Sequence, residues 1–338
     1  MSKEPKRYLG KSVDIGTMNV VSARQDASGG ISTKHIRDAF LDLPTSAKRM
    51  LKLNGVDFIE RDDEILIIGD AAMETANVFG REPRRPLSGG LVSAQEPDSL
   101  EVLATIIKGV LGPPAEPNEV CYYSVPAAPI DAPERDVIYH RGVLERIVNE
   151  CGYDAFPSNE AMAIIFAETA KDGFSGLALS FGSGMSNVAL ALNTIEGLSF
   201  SVARGGDWLD AGAASSVGST KARICSIKEG GIDLNAPKNR EEEAICFYYK
   251  HLIEYVLDQI AARFKQLQGQ FALPKPIPII IGGGTSQATG FVEFFTKVFD
   301  RKRKRFPFEI SEIRHAADPL NCVAHGLLVL ARQEYEED

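Results

Sequence analysis

The sequence predicts an α/β protein built from two similar halves. Short apolar runs typical of buried strands alternate along the chain with longer amphipathic segments typical of helices. Two strand pairs, each joined by a glycine turn, lie about half a chain apart, at residues 11–25 and 176–192. This repetition indicates an internal duplication, in which each half follows a βββαβα-like order and carries a hairpin turn large enough for a phosphate.

The first half contains the elements expected of such a unit. Residues 11–25 predict a hairpin with a tight turn at Gly16, and residues 63–78 predict a strand followed by a helix. Residues 98–112 predict a helix, because their apolar side chains recur at helical spacing. The half closes with a strand and two helices, at residues 119–129, 133–152 and 158–170. We expect Ser158 to cap the last of these helices.

The second half repeats the pattern and then continues into further helices. Three strand-like runs with two glycine turns fill residues 176–202, and residues 207–274 are mainly helical. A run that begins with Pro274 and holds three prolines introduces a buried strand, and a triple glycine then opens a helix. The last helix, residues 318–335, has Asp318 as its expected N-cap.

Composition and charge argue against several classes of partner. The 338 residues are 44% hydrophobic and 25% charged, and the net charge of -9 with a pI near 5.3 disfavours nucleic acid. The five cysteines are scattered, odd in number and without a CxxC pair, which is typical of a reducing cytoplasm. No apolar run approaches the ~20 residues of a membrane span, and neither end resembles an amphipathic anchor. We therefore expect a cytoplasmic protein.

A basic run and the histidines have simple interpretations. The run at residues 300–306 lies in a net acidic chain, where it is more typical of a solvated helix end than of a nucleic-acid or lipid site. The five histidines show no spacing typical of metal ligands. Neither feature predicts a site.

Three glycine turns carry the chemistry that the sequence offers. In the first, DIGTMN, Asp14 ends a strand and the following backbone amides can point inward at an anion. Asp14 can hold a hydrated Mg2+ beside phosphates, since this ion prefers oxygen ligands and keeps several waters. In the second, SFGSGMS, the glycines allow an approach that a side chain would block. In the third, IIIGGGTSQATG, a buried strand feeds three glycines and a helix, which presents bare backbone to a ligand.

The three turns, in this order and between these element types, resemble the phosphate-1, phosphate-2 and adenosine motifs of the actin, sugar kinase and heat-shock chaperone ATPase superfamily. The resemblance covers nearly the whole chain and is closest to the bacterial actin homologues of the MreB type. Supporting segments are IIGDAAMETANVFGREPRRPLSGGLVS, YYSVPAAP, SNEAMAIIFAE, ARGGDWLD and AADPLNCVAHG. A dinucleotide-binding fold is disfavoured, because its GxGxxG fingerprint is absent.

The resemblance implies a two-lobed actin-like ATPase fold, with a nucleotide cleft between two lobes that each contain a ribonuclease-H-like sheet. Lobe I would hold residues 1–156 and 318–338, with a small subdomain inserted at about residues 31–80. Lobe II would hold residues 157–317, with a small subdomain at about residues 213–272.

The same resemblance implies which residues form the site. ATP or GTP, with Mg2+, would be the cofactor, and Asp14 would hold the metal through water. Glu160 in SNEAMA matches the family glutamate that orients the water attacking the γ-phosphate, and its place in the first turn of a helix would by itself also favour a negative charge. The implied nucleotide-binding residues are Asp14, Gly16, Thr17, Met18, Asn19, Gly182, Ser183, Gly184, Met185, Gly205, Gly206, Asp207, Lys221, Arg223, Gly282, Gly283, Gly284 and Thr285.

The second turn departs from the family pattern at Ser180. Relatives have an aspartate there, which helps to hold the hydrated metal, and a threonine at the position of Met185. Loss of the carboxylate is expected to weaken Mg2+ affinity and to leave hydrolysis slow or absent, whereas the backbone cradle is retained. A weak ATPase and a protein without ATPase activity therefore both stay open.

Two functions are compatible with these features. The first is an actin-like cytoskeletal protein that self-associates into filaments under the control of ATP binding. The alternative is a non-polymerising switch or scaffold, a degenerate ATPase that changes lobe closure for a protein partner. A metabolite kinase would need a carboxylate base facing a substrate pocket, and the sequence offers no clear candidate. The sequence does not distinguish ATP from GTP.

Overall fold

The computed structural model of the protein describes residues 8–56, 58–78, 81–267 and 276–336. Both chain ends and the predicted strand entry at Pro274 lie outside these residues. Within them, no helix is long and apolar enough to cross a membrane.

Strands make up two large sheets and two small ones in the described ranges. In chain order they are β1 (Lys11–Ile15), β2 (Asn19–Gln25), β3 (Ile31–Arg37), β4 (Phe40–Pro44), β5 (Phe58–Glu60), β6 (Glu64–Ile68), β7 (Leu87–Ser88), β8 (Leu91–Val92), β9 (Glu119–Val125), β10 (Tyr153–Asn159), β11 (Gly176–Phe181), β12 (Ser186–Leu192), β13 (Ile195–Val202), β14 (Ile277–Gly282) and β15 (Ile310–His315).

Helices alternate with these strands, as the α/β prediction requires. In chain order they are α1 (Lys48–Leu53), α2 (Asp70–Val78), α3 (Ser99–Leu111), α4 (Val137–Glu150), α5 (Glu160–Glu168), α6 (Gly206–Val217), α7 (Lys221–Glu229), α8 (Arg240–Gln266), α9 (Phe291–Lys302) and α10 (Cys322–Gln333).

The first large sheet has the strand order β10-β9-β1-β2-β3. Strands β1, β2 and β3 form an antiparallel meander that begins with the predicted hairpin, and β9 and β10 run parallel to β1. Neighbouring residues of β2 point to opposite faces: Val20 packs in the core that includes α3, and Val21 packs against α10. The sheet is therefore covered on both sides, and its parallel strands end at one common edge.

The second large sheet repeats this arrangement, with the order β13-β12-β11-β14-β15. Strands β11, β12 and β13 form the antiparallel meander, and β14 and β15 run parallel to the first strand and to each other. Three antiparallel strands followed by two parallel ones is the same topology as in the first sheet. The predicted duplication and the α/β fold class are thus confirmed.

A smaller unit lies between β3 and α3. Its sheet has the antiparallel order β4-β6-β5, and α2 closes a small separate core against it that contains Leu41, Ile65, Ile67 and Ala72. Strand β3, which was expected in the small subdomain from residue 31, pairs with β2 in the first large sheet. Residue 156, the expected end of the first lobe, lies inside β10.

Helices α5 and α10 pack against each other between the two large sheets. Helix α5 contacts β11 and β12 of the second sheet, and α10 contacts β1 and β9 of the first. Their backbones approach so closely at Gly326 that a Cβ there would lie 1.7 Å from the carbonyl oxygen of Ala163. This helix pair, together with the strand ends, fixes the relative position of the two sheets.

Two helix starts differ from prediction by a few residues. The N-cap of α5 is Asn159, whose side chain accepts hydrogen bonds from the amides of Ala161 and Met162, whereas Ser158 is still part of β10. Helix α10 begins at Cys322, and the predicted cap Asp318 instead belongs to a preceding turn in which it accepts from Asn321. In each case the predicted cap and the residue that precedes the helix are both of a type that can cap, Ser158 and Asn159 at α5 and Asp318 and Asn321 at α10, so the local sequence does not decide between them.

The triple glycine does not open a helix directly. It leads into a single 3-10 turn, Gly284–Gln287, and α9 begins only at Phe291 after Gly290, which has a φ of 79°. Gly282 therefore ends β14 as a buried residue, and Gly283 and Gly284 begin the turn between β14 and α9.

Candidate functional site

A cavity of about 520 Å³ lies between the two large sheets. Its walls come from the carboxyl ends of β1, β11 and β14, from the first turn of α5 and from the end of α7. In each large sheet, the first strand and the strands parallel to it end at the same edge. All three predicted glycine turns follow such strands and face this cavity. Pockets at the carboxyl edge of α/β sheets are where such proteins usually bind ligands.

The first hairpin turn, between β1 and β2, is a tight backbone loop. The amide of Gly16 donates a hydrogen bond of 3.0 Å to the carbonyl oxygen of Asn19. At the end of β9, the Ser124 hydroxyl accepts the amide of Ile15 at 2.8 Å and so supports the strand that leads into the turn. The turn therefore presents its backbone and the side chain of Asp14 to the cavity.

The second hairpin turn, between β11 and β12, closes in the same way, with the amide of Gly182 donating to the carbonyl oxygen of Met185 at 3.0 Å. The carbonyl oxygens of Gly182 and Ser183 accept from the first amides of α6, those of Gly206 and Asp207, at 3.0 and 2.9 Å. In a trans peptide the N–H points away from the C=O. The amides of Ser183 and Gly184 are therefore directed away from α6, and both residues line the cavity.

The two hairpins touch each other across the cavity. A Cβ placed on Gly184 would lie 2.1 Å from the amide nitrogen of Gly90 and 2.5 Å from the hydroxyl of Thr17. Gly90 lies in the turn between β7 and β8, so that turn also packs on the second hairpin. Only glycine fits this contact between the halves.

The third turn packs directly behind the second hairpin. Gly283 has a φ of 90°, and a Cβ there would meet the carbonyl oxygen of Phe181 at 2.4 Å. The hydroxyl of Thr285 donates to the carbonyl oxygen of Gly182 at 2.9 Å, and the carbonyl oxygen of Thr285 accepts from buried Tyr249 at 2.9 Å. The turn is thus fixed against the hairpin and leaves Gly283 and Gly284 in the cavity wall.

Glu160 begins α5 and projects into the cavity between the two hairpins. Its Oε2 accepts a hydrogen bond of 2.9 Å from the side-chain amide of Asn187 and a longer one, 3.4 Å, from the hydroxyl of Ser180. Ser180 and Asn187 face each other across β11 and β12. Ser180 stands where the resemblance implies an aspartate. It is therefore one of two neutral side chains, with Asn187, that donate hydrogen bonds to the Glu160 carboxyl and orient it.

Two cavity carboxyl groups hold protons more tightly than usual. Burial and, to a smaller extent, the nearby charge of Asp14 together raise the pKa of Glu160 to about 8. Burial also raises the pKa of Asp14 to about 6, while the hydroxyl of Ser124 lowers it in part. Without a bound cation, loss of the proton from one of these carboxyl groups makes loss of the proton from the other less favourable.

We expect the stability of the ligand-free protein to fall as pH rises from about 5 to 8, because the folded state holds a proton on Glu160 that the unfolded state has lost. Each unit of that pKa difference corresponds to about 1.4 kcal/mol. The check is the melting temperature against pH for the wild type and for Glu160→Gln, whose side chain does not titrate. The wild type should lose more stability over this range, and equal slopes would contradict the assignment.

Most of the predicted site residues line the cavity. The lining contains Asp14, Gly16, Thr17, Met18, Asn19, Glu160, Gly182, Ser183, Gly184, Met185, Gly206, Gly283, Gly284 and Thr285. Gly205, Asp207 and Gly282 lie just behind this surface and contact the lining residues from outside. The three turns that are far apart in sequence therefore meet in one place.

Lys221 and Arg223 are not brought to the cavity. They lie in the first turn of α7, where Arg223 pairs with Glu241 on the exposed surface. The far end of the same helix reaches the cavity instead, with Lys228 and Glu229 in its wall. The sequence indicated this helix but not these two residues, because only the tertiary structure shows which end of the helix points toward the cavity.

Asn187 is a further residue that the motifs did not indicate. Its side-chain oxygen accepts the amide of Ala127 at 3.2 Å while its nitrogen donates to Glu160, so it is held from both sides. The available signal was strand alternation, which places Asn187 on β12 directly opposite Ser180.

Known structures with a similar fold include three actin-like proteins. A MamK double helical filament subunit is 17% identical over 96% of this chain and 99% of that chain, with a TM-score of 0.72. MreB5 of Spiroplasma citri bound to AMPPNP is 14% identical over 98% of both chains, with a TM-score of 0.65. The ethanolamine utilization protein EutJ of Carboxydothermus hydrogenoformans is 15% identical over 98% of this chain and 92% of that chain, with a TM-score of 0.57. These likenesses confirm the predicted actin-like fold.

Sequence comparison identifies the family. No curated protein matches the chain at a significant level. The model of the Volactin family matches residues 9–331, and the chain therefore belongs to the Volactin family.

Proposed function

We propose that this protein is an actin-like nucleotide-binding protein that assembles into filaments under the control of ATP binding. The observation that carries the proposal is the cavity in which two backbone hairpins and a third glycine turn converge. In the proposed division, the two large sheets form two lobes and the cavity is the cleft between them.

The two hairpins provide the phosphate side of the proposed site. In the second hairpin, the carbonyl groups are occupied by α6, so the amides of Ser183 and Gly184 are available to phosphate oxygens. The first hairpin has the same closing hydrogen bond and faces the second. Together the two turns can hold phosphate oxygens from opposite sides with backbone groups alone.

The charge of the cavity wall makes a divalent cation necessary for a polyphosphate. Each Lys or Arg side chain of the described wall is already paired: Arg37 lies 2.9 Å from Glu229, and Lys228 lies 2.8 Å from Asp210. The carboxylates of the wall are Asp14, Asp70, Glu160 and Glu229. Phosphate groups would therefore enter next to an excess of negative charge.

Mg2+ fits this set of donors through water rather than by direct coordination. Among the described residues, no cluster of three His, Cys, Asp or Glu side chains can hold a metal. Asp14 remains as an oxygen donor beside the first hairpin, which suits an ion that keeps most of its waters. The ion would neutralise the phosphates and allow Asp14 and Glu160 to lose their protons.

Glu160 is the residue that we assign to hydrolysis, with the role of orienting a water next to the terminal phosphate. Its carboxyl accepts hydrogen bonds from Asn187 and Ser180 and lies in the wall of the cavity that both hairpins face. A carboxylate in that position accepts a hydrogen bond from the attacking water. Because Ser180 supplies no second carboxylate, we propose that hydrolysis is slow.

The third turn and α7 would form the nucleoside side. Gly283 and Gly284 offer a flat backbone surface, and Thr285 is fixed by its bond to the second hairpin. Lys228 and Glu229 provide polar groups at the same wall. The structures of MreB5 bound to AMPPNP and to ADP, which share this fold, support a nucleotide as the ligand.

Filament formation is supported by the fold and by one exposed apolar surface. MamK, which shares the fold, forms a double helical filament. On helix α1 of the smaller unit, the side chain of Met50 is 68% exposed and that of Leu53 is 77% exposed. The exposed cations Arg49 and Lys52 lie next to them. Two exposed apolar side chains three residues apart on one helix can be buried together against another copy of the chain, and we propose this surface as a contact between subunits.

We expect the wild type to sediment with ATP and Mg2+, and Met50→Ser combined with Leu53→Ser to raise the concentration needed for sedimentation about tenfold. A tenfold change corresponds to about 1.4 kcal/mol, which is less than full burial of two apolar side chains would give and is the least that we expect from their loss at an interface. Pelleting followed by electron microscopy checks this. Ile195→Ser, which removes an apolar side chain that is 72% exposed on β13, is the control.

The alternative function, a non-polymerising nucleotide-dependent switch, is favoured by Ser180 and makes the opposite prediction. A wild-type protein that binds nucleotide yet stays monomeric at high concentration would contradict the filament proposal and support the switch. Sedimentation that is equally strong in the α1 double variant would show that another surface forms the contact.

A further inference from the structure

We propose that Arg85 is a positioning residue that bridges from the first half of the chain to the second and, through Asp207, sets the geometry of the second hairpin. The proposal rests on the nucleotide-binding role that we assign to that hairpin. It concerns a residue of the first half of the chain that is not in the cavity wall.

The contact to the second half is a short polar chain of three side chains. Nη1 of Arg85 lies 3.0 and 3.2 Å from the two carboxylate oxygens of Asp207. The hydroxyl of Ser183 donates to the same carboxylate at 2.8 Å. Asp207 thus joins a guanidinium from one half to a hairpin residue of the other.

Asp207 also fixes the hairpin through its backbone. Its amide donates to the carbonyl oxygen of Ser183 at 2.9 Å, and the preceding amide of Gly206 donates to Gly182. These bonds direct the amides of Ser183 and Gly184 toward the cavity, as described above. A shift of Asp207 would therefore change the direction of the amides that are proposed to bind phosphate.

Arg85 is also linked to the first hairpin, through the backbone of the segment that follows it. Two residues after Arg85, the amide of Leu87 donates to the carboxylate of Asp38 at 3.3 Å, and the amide of Asp38 donates to the carbonyl oxygen of Met18 at 3.0 Å. Asp38 is 1% exposed, and its second oxygen has no hydrogen-bond partner among the residues that the structure describes. Burial raises the pKa of Asp38 well above its usual value, and the Leu87 amide and the positive charge of Arg85 offset only part of this rise. Arg85 is therefore bonded to the carboxylate that fixes the second hairpin, and it lies two residues before the amide that binds Asp38, whose own amide holds the first hairpin.

The segment that carries Arg85 makes a second, independent contact with the same hairpin. The turn of Gly89 and Gly90 packs against Gly184 and Met185 so closely that a Cβ on Gly90 would lie 2.7 Å from Met185. The side chain of Arg135 holds this turn by donating to the carbonyl oxygen of Gly89 at 2.7 Å. Residues 85–90 are thus anchored at both ends where they meet the hairpin.

Hydrogen exchange of the nucleotide-free protein tests the positioning role without any ligand. Arg85→Ala should speed exchange in peptides covering residues 182–186 and 205–208, and Arg85→Lys should restore part of the protection. Arg146→Ala is the control, since Arg146 is an exposed arginine that pairs with Glu150 within α4. Unchanged exchange at the hairpin in Arg85→Ala would overturn the proposal.

A double-mutant cycle on nucleotide affinity tests the route through Asp207. Arg85→Ala and Ser183→Ala should each raise the dissociation constant of a nonhydrolysable ATP analogue about three- to tenfold, because the pair is partly exposed. If they act through one chain, the double variant should be little worse than either. Strictly multiplicative effects would contradict the relay. A wild type without affinity for the analogue would refute the proposed function, while the exchange experiment would still decide the role of Arg85.

Discussion

Gly184→Ala is expected to abolish most nucleotide binding. The new Cβ would lie 2.1 Å from the amide nitrogen of Gly90, 2.5 Å from the hydroxyl of Thr17 and 2.7 Å from the carbonyl carbon of Gly89. Two of these three atoms are backbone of the turn between β7 and β8, so relief requires that the second hairpin move away from that turn and from Thr17 of the first hairpin. Overpacking of this kind costs about 1–3 kcal/mol, which corresponds to a loss of affinity of up to about hundredfold.

The measurement is a titration of an ATP analogue into the variant and into Gly142→Ala. Gly142 lies in α4, and a Cβ there meets nothing within 4 Å. Alanine at that position should raise stability by up to about 1 kcal/mol and leave affinity unchanged. Wild-type affinity in Gly184→Ala would show that the contact between the hairpins is not part of the binding site.

Ser180→Asp is expected to increase phosphate release from ATP about tenfold or more. The new carboxylate would lie opposite Asn187 and next to Glu160, at the position where the resemblance places a metal-side aspartate. It would strengthen the hold on hydrated Mg2+ and add negative charge to order the attacking water. Without Mg2+ the same change should lower the melting temperature, because a third carboxyl joins Asp14 and Glu160.

Two companion variants make this result specific. Ser180→Ala removes the hydroxyl without adding charge and should not increase phosphate release. Ser180→Asp combined with Glu160→Gln keeps the new carboxylate but removes the water-orienting one, and it should release phosphate no faster than the wild type. If Ser180→Asp binds Mg2+ and nucleotide but releases phosphate at the wild-type rate, the missing carboxylate is not what limits turnover.

The fold was predictable where local pattern and repetition agree. The hairpin at Gly16 and the one at Gly182 each combine strand alternation with a glycine turn, and both form as predicted. The start of α5 was misplaced because Ser158 and Asn159 are both capping residues and only the strand register of β10 decides between them. Strand β3 was assigned to the small subdomain, but it pairs with β2 in the first large sheet. The sequence alone does not show this pairing.

The candidate site was predictable where backbone turns form it. Glycine turns can be recognised in the sequence because their backbone conformations and close contacts require glycine. Lys228 and Glu229 were missed in favour of Lys221 and Arg223, since the sequence of α7 does not show which end meets the cavity. Arg85 could not be found from sequence at all, because its partner Asp207 lies 122 residues away.

The most direct test of the central claim is a calorimetric titration of ATP into the wild-type protein with and without Mg2+. The structure predicts saturable binding of one nucleotide per chain that depends on Mg2+, because the cavity wall carries an excess of carboxylates. Binding should also raise the melting temperature in proportion to occupancy. No heat of binding and no change in melting temperature at millimolar ATP and Mg2+ would contradict a nucleotide site between the two sheets.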